Sequence, residues 1–219
     1  MNDVFIAGGT GYIGSRLIPR LLAAGYPVHA LARPQSQDKL PRGCQPVPGD
    51  ALDSPSYQQS VPAGSTFIQL VGVPHPSPAK AAQFRSVDLV AGREAVKAAV
   101  AAGARHFIYL SVAQPAPIMK VYQEVRAECE TRIRESGLNA TVLRPWYVLG
   151  PGHVWPYALV PVYWLMERVP ATREGALRLG LVTLEQMLQA LMAAVATPCT
   201  GVHVLGVPEI RSGGLLKTS

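Results

Sequence analysis

A doubly wound α/β domain on a parallel sheet is the fold that this 219-residue chain predicts. Three observations carry the prediction. Strand-length apolar runs alternate with longer helical patterns from the first residues onward, as βαβ units require. A glycine-rich turn follows the first apolar run and opens the first helix. Hydrophobic residues make up 48% of the chain and charged residues 16%, which supplies a sizeable core and excludes long disorder.

Val4 to Ala7 reads as the first strand. Ile13, Leu17, Ile18, Leu21 and Leu22 then recur at helical spacing until Gly25 ends the element. Pro19 removes one backbone donor from this helix and predicts a kink unless packing holds the turn straight. Further strands are predicted at Val28 to Leu31, Thr66 to Leu70, His106 to Leu110 and Thr141 to Leu143, with a proline-interrupted one around Val47. Long helices are predicted from about Ala79 to Ala102 and Met119 to Ser136, stopped by Gly103 and Gly137 where left-handed caps are wanted. From Gly150 the chain becomes rich in proline and aromatics without periodicity, until Leu184 to Ala196 resumes a helical pattern. The predicted organisation is a core over residues 1–150, a small substrate-covering region over 151–180, a return to the core over 181–210 and a loose tail over 211–219.

Composition excludes several function classes. The longest apolar candidate, Val154 to Met166, falls short of the ~20 residues of a membrane span and is broken by Pro156 and Pro161. No basic stretch precedes the first apolar run, so no signal peptide is expected and the chain reads as cytoplasmic. Cys44, Cys129 and Cys199 form no CxxC pair, which suits reduced thiols, and no metal site is expected. The net charge is +6, but Lys and Arg are scattered. Nucleic acid is therefore not an expected partner, and the balance suits an anionic small ligand.

Gly8, Gly9, Thr10, Gly11, Tyr12, Ile13 and Gly14 spell a GxGxxG from Gly9 and a GxxGxxG from Gly8. A dinucleotide pyrophosphate needs a tight turn, backbone approach without intervening Cβ atoms, and amide donors at a helix N-terminus carrying partial positive charge. Gly8, Gly11 and Gly14 can meet those needs; the plainer alternative is a turn that only closes a βα unit. An NAD site usually places an acid about twenty residues on, where it accepts from the ribose 2′-hydroxyl. VHALARP ends instead in Arg33, which can pair bidentately with a 2′-phosphate, so NADP(H) is expected over NAD(H). A solvated loop arginine is the alternative, and Arg16 is a secondary candidate for the same phosphate.

The segment IAGGTGYIGSRL resembles the N-terminus of the short-chain dehydrogenase/reductase superfamily with its Rossmann core, in particular atypical and extended members such as isoflavone-reductase-like and NmrA-like proteins. The resemblance extends loosely over most of the chain. It implies that Asp50, in GDALD with Ala51 beside it, contacts adenine, an Asx turn being the alternative. It also implies that Leu70, Val71 and Gly72 line the cofactor cleft, and that Pro145, Trp146, Tyr147 and Val148 lie beside the nicotinamide carboxamide. In the family's catalytic set, Ser111 would orient a carbonyl and Tyr122 would protonate it as hydride arrives. A lysine four residues on would bind ribose and lower the tyrosine pKa. Here that residue is Arg126. The spacing puts Tyr122 and Arg126 on one helical face, where a unit charge about 5 Å away is worth roughly 3 kcal/mol at an effective dielectric of about 20. Guanidinium does not release its proton, so a relay through an amine is closed. The plainer alternative packs Tyr122 in a helix interface and pairs Arg126 with Glu130.

Trp146, Trp155, Tyr157, Tyr163 and Trp164 either wall an apolar substrate or seal the core, and His75 and His153 read as solvated rim residues. The expected function is an NADP(H)-dependent oxidoreductase that transfers hydride to a small apolar carbonyl or related electrophile. The alternatives are a non-catalytic NADP(H)-binding sensor or assembly protein, and a nucleotide-sugar epimerase or dehydratase, for which 219 residues leave little room. A small-molecule substrate is the expected partner, with the chain acting as monomer or homodimer.

Overall fold

Strands that are apolar on both faces need cover on both sides. The computed structural model, which describes residues 2–152 and 160–214, provides it. In chain order the strands are β1 (Val4–Ala7), β2 (Val28–Ala32), β3 (Gln45–Pro48), β4 (Thr66–Gln69), β5 (His106–Leu110), β6 (Ala140–Leu143), β7 (Tyr147–Leu149), β8 (Leu181–Thr183) and β9 (Val202–Leu205). The α-helices are α1 (Gly14–Ala23), α2 (Ala81–Gln83), α3 (Val90–Ala101), α4 (Lys120–Glu135), α5 (Val160–Met166), α6 (Pro170–Arg178), α7 (Leu184–Ala196) and α8 (Val207–Arg211). Seven strands form one parallel sheet in the order β3-β2-β1-β4-β5-β6-β9, and β7 and β8 form a separate parallel pair.

Side-chain alternation assigns the two faces. Val4, Ile6, Ile68 and Ile108 pack with Leu17, Ile18 and Leu21 of α1 and with Met187, Leu188 and Leu191 of α7. On the other face Phe5, Phe67 and Phe107 meet Ala95 of α3 and Val125, Cys129 and Ile133 of α4. These three rings are register neighbours on β1, β4 and β5, with centroids 4.9 and 5.4 Å apart. The spacing is that of aromatic pairs that stabilise beyond their buried area.

Several expectations are refined. α1 runs unbroken through Pro19, which lies on its exposed side, while Leu17, Ile18 and Leu21 bury the opposite stripe. The helix expected over 79–102 is interrupted by a π-helical segment, Phe84–Leu89, that buries Phe84, Asp88 and Leu89. One residue per turn is gained there, a shift that apolar periodicity alone does not reveal. β9 and α8 complete the return to the core. Residues 211–214 are not a loose tail: Arg211 donates to the Leu181 carbonyl at 2.9 Å and pairs with Glu167 at 2.8 Å, and the Gly214 amide donates to the Glu209 carbonyl at 2.8 Å. The rest of the expected tail, and His153, Trp155 and Tyr157, lie outside the described residues. Among the described residues no helix is long and apolar enough to cross a membrane, and no cluster of His, Cys, Asp or Glu could hold a metal ion.

Candidate active site

The strand order reverses at β1, whose neighbours are β2 and β4, so the loops leaving β1 and β4 diverge and open a crevice at the carboxyl edge of the sheet. Gly8 leaves β1 with φ +93°, a backbone conformation that L side chains rarely adopt. A Cβ there would sit 2.9 Å from the Leu70 carbonyl carbon and the Val71 amide, so the turn is pressed against the exit of β4. At Gly14 a Cβ would lie 2.3 Å from the Gly8 carbonyl oxygen, which is the close helix–turn packing that the third glycine serves. Thr10 and Gly11 form the exposed crest. α1 begins after Ile13, which offers no side-chain cap, and carries no acid in its first turn. Its N-terminal amides and dipole therefore suit an anion, and this is the fit expected for a dinucleotide pyrophosphate.

Arg16 is already engaged. It donates to the Tyr12 carbonyl at 2.8 Å and stacks 4.3 Å from the Tyr12 ring, bracing the turn. Arg33 stands exposed at the end of β2, and none of the hydrogen bonds or ion pairs among the described residues uses its guanidinium. Asp50 is exposed after β3 and its carboxylate accepts from the Leu52 amide at 3.0 Å, an Asx turn, with Ala51 half-buried beside it.

Helix α4 crosses the far side of the crevice. Tyr122 is half-buried, its ring 4.8 Å from that of Phe84 and 5.0 Å from the Arg126 guanidinium carbon. Arg126 does not pair with Glu130. It is only 4% exposed and its guanidinium is held by Asp88 at 2.5 Å, the Leu110 carbonyl at 2.8 Å and the Tyr109 hydroxyl at 3.3 Å. The second oxygen of Asp88 accepts from the Val73 amide at 3.1 Å. Gly72 lies against this pair, where a Cβ would meet Arg126 Nη2 at 2.6 Å. The π-helical segment thus delivers both Phe84 to Tyr122 and Asp88 to Arg126.

Glu130 instead organises a second buried cluster. Its carboxylate accepts from Ser111 Oγ at 2.6 Å, Gln114 Nε2 at 3.0 Å, Arg144 Nε at 2.9 Å and Arg134 Nη2 at 3.2 Å, and also from Arg144 Nη2. Ser111 has one O–H and spends it on Glu130. Sequence reasoning missed Asp88, Gln114 and Arg144 and gave Glu130 only a surface role. The available signal was an ionisable residue on an otherwise apolar helical face, since Asp88 sits four residues after Phe84 and Glu130 four after Arg126.

Pro145 is buried and its carbonyl accepts from the Ala113 amide at 2.9 Å. Trp146 and Tyr147 meet edge-on at 5.6 Å, and Val148 packs on the core beside α7. Tyr163 is half-buried, and its phenol is pushed up by burial and by the nearby Tyr147. Trp164 turns outward, 57% exposed, beneath the Arg168 guanidinium, so it neither walls the crevice nor seals the core. His75 is exposed at the rim with φ 49°.

A glycine turn of this form at the switch point of a doubly wound sheet is the arrangement of a dinucleotide-binding protein. The chain belongs to a family described as NAD(P)H-binding, which matches residues 8–152. It is similar to a ceramide reductase of Caulobacter vibrioides, 25% identical over 98% of this chain and 67% of that protein. It is also similar to a 3-diazoavenalumate denitrifying reductase of Streptomyces, 29% identical over 92% of this chain and 75% of that one. Similarity to the chloroplastic protein TIC 62 of Arabidopsis thaliana, at 28% identity, covers 65% of this chain and 26% of that protein. Among solved structures, the Bordetella bronchiseptica enzyme WbmH in complex with NAD+ shares the fold at a TM-score of 0.68 and 20% identity, covering 94% of this chain and 75% of that one.

Proposed function

We propose that the chain is an NADP(H)-dependent reductase in which Arg33 selects the cofactor and Tyr122 donates a proton to a small apolar carbonyl or related electrophile. The observation that carries the reading is Arg33, an uncommitted guanidinium at the exit of β2, the position at which an NAD site usually carries an acid that would repel a 2′-phosphate. The bound cofactor would supply hydride. The turn from Gly8 to Gly14 holds the pyrophosphate, Asp50 and Ala51 neighbour the adenine, and Leu70, Val71, Gly72 and Pro145 to Val148 line the nicotinamide half, with α5 and α6 over the substrate. Tyr122 meets the reacting oxygen. Ser111 acts here through its lone pairs, because its proton is held by Glu130. Arg126 fixes the helix face that carries Tyr122 and does not reach for ribose, because its guanidinium is spent on Asp88 and Tyr109. The names of the two bacterial reductases support reduction as the reaction class.

One observation favours a second reading, a non-catalytic NADP(H)-binding sensor: a buried, ion-paired arginine cannot take the proton-relay role of a lysine. Calorimetry tests the binding claim. NADPH is expected to bind at least about tenfold tighter than NADH, and Arg33→Ala to erase the difference, as loss of a charge-assisted bidentate contact would. Equal affinities in the wild-type chain overturn the preference. Oxidation of NADPH across aldehydes, ketones and quinones then separates the readings. Tyr122→Phe is expected to cut turnover by a factor of about 100 or more, as loss of a general acid does. Tight NADPH binding without turnover on any of them supports the sensor.

A further inference from the structure

Burying a carboxylate costs several kcal/mol unless both oxygens are satisfied. Glu130 is only 1% exposed, and its partners come from two strand exits: Ser111 and Gln114 follow β5, and Arg144 follows β6. These exits are also joined to one another and to β9. The Ser111 amide donates to the Leu143 carbonyl at 2.8 Å, the Ala113 amide to Pro145 at 2.9 Å and the Arg144 amide to Leu205 at 2.8 Å. Glu130 is therefore the point at which this chain of strand ends is fastened to α4, two turns beyond Tyr122 on the same helix. Arg134 adds a second cation to the carboxylate from the outer side, 47% exposed, and completes its coordination by donors. Among the described residues, none of the hydrogen bonds to the Glu130 carboxylate comes from the exits of β1, β2 and β3, which carry the glycine turn, Arg33 and Asp50.

We infer that Glu130 is a positioning residue for the nicotinamide half of the cofactor alone. It holds the β5 and β6 exits at a fixed separation and turns the Ser111 hydroxyl so that its lone pairs face outward from the O–H···carboxylate bond. A hydroxyl so held accepts, and the group that it fits is an N–H donor such as a carboxamide. The inference rests on the proposed reading that a dinucleotide lies across these strand ends. It differs from that reading in assigning the two halves of the cofactor to two mechanically separate parts of the sheet edge.

The test compares two ligands on the full chain by calorimetry: NADPH, and adenosine 2′,5′-bisphosphate as the adenine half. Glu130→Gln keeps the size of the side chain and removes its charge. It is expected to weaken NADPH about tenfold, as loss of hydrogen bonds to a charged group does, and to leave the bisphosphate within about twofold. Ser111→Ala, which leaves the carboxylate and its arginines in place, is expected to weaken NADPH about threefold with the bisphosphate unchanged. It decides the matter if the Glu130 variant fails to fold. Equal losses on both ligands, or no loss on either, overturn the inference. A wild-type chain that binds the bisphosphate as tightly as NADPH also overturns it while leaving the adenine end intact. A wild-type chain that binds neither ligand removes the proposed function itself.

Discussion

Arg126 keeps its charge inside the protein only because Asp88 is beside it, and the cost of separating them sets the first prediction. Asp88→Asn leaves a buried guanidinium without its counter-ion and is expected to destabilise the fold by about 3–5 kcal/mol in denaturant unfolding. Replacing both partners, Asp88→Leu with Arg126→Met, should recover much of that loss, since the uncompensated charge is gone. Gly72→Ala presses a methyl on the same pair, 2.6 Å from Arg126 Nη2 and 3.0 Å from Asp88 Oδ1, and is expected to cost about 1–3 kcal/mol by overpacking. The glycine turn was legible in the sequence because its residue types, order and position after a strand all follow from one steric demand. The place of Arg33, directly after β2, was legible because the end of that strand can be counted from the turn. Spacing could mark Asp88 and Glu130 as ionisable residues on a helical face, but not their partners, because the pairs Asp88–Arg126 and Glu130–Arg144 join separate segments. The Tyr122–Arg126 spacing gave the right face, and tertiary partners then gave Arg126 a different task.

At the scale of elements, the apolar runs located six of the seven main-sheet strands, and edges moved by a residue where a run ended in a strand-neutral position. β9 escaped because Val202–Leu205 is only four residues long and is interrupted by His203, so it makes no apolar run although Pro198 and Gly201 precede it. The π-helical segment escaped because an inserted residue changes phase without changing composition. α7 was plain, and it also carries a cap: Thr183 accepts from the Gln186 amide at 3.1 Å while the Gln186 side chain accepts from the Thr183 amide at 2.8 Å. Thr183→Ala is expected to lower stability by about 1 kcal/mol with an unchanged denaturant slope, since it removes a capping box and exposes no new surface in the folded state. A loss well under half of that would mean that packing against α1 alone fixes the start of α7.

For the whole molecule, one buried group ties stability to pH. His106 opens β5 at the amino edge of the sheet, fully buried, with Nε2 3.0 Å from Thr141 Oγ1. Burial, with Arg105 and His203 adding to it, pushes its pKa down from 6.5 to about 4. Between those values the unfolded chain binds the extra proton and the folded chain does not, so this contribution is complete above pH 6.5 and is lost as the pH falls through about 4. The loss is about 3 kcal/mol at most, and His106→Gln should flatten the slope of stability against pH in that window. A slope unchanged by that substitution would assign acid sensitivity to other groups.

The outer margin of the same sheet has a consequence of its own. In β3 the Gly49 amide following the strand turns inward to the Ala32 carbonyl at 3.3 Å, so the amide positions that alternate with it, Pro46 and Pro48, face outward and carry no hydrogen. A strand from a stray neighbour arriving at that border finds carbonyls and no donors, and cannot add itself to the ladder. Fibrillar growth from this side is thereby blocked by two imino acids, and restoring hydrogens there with Pro46→Thr and Pro48→Thr should make the chain prone to polymerise on storage.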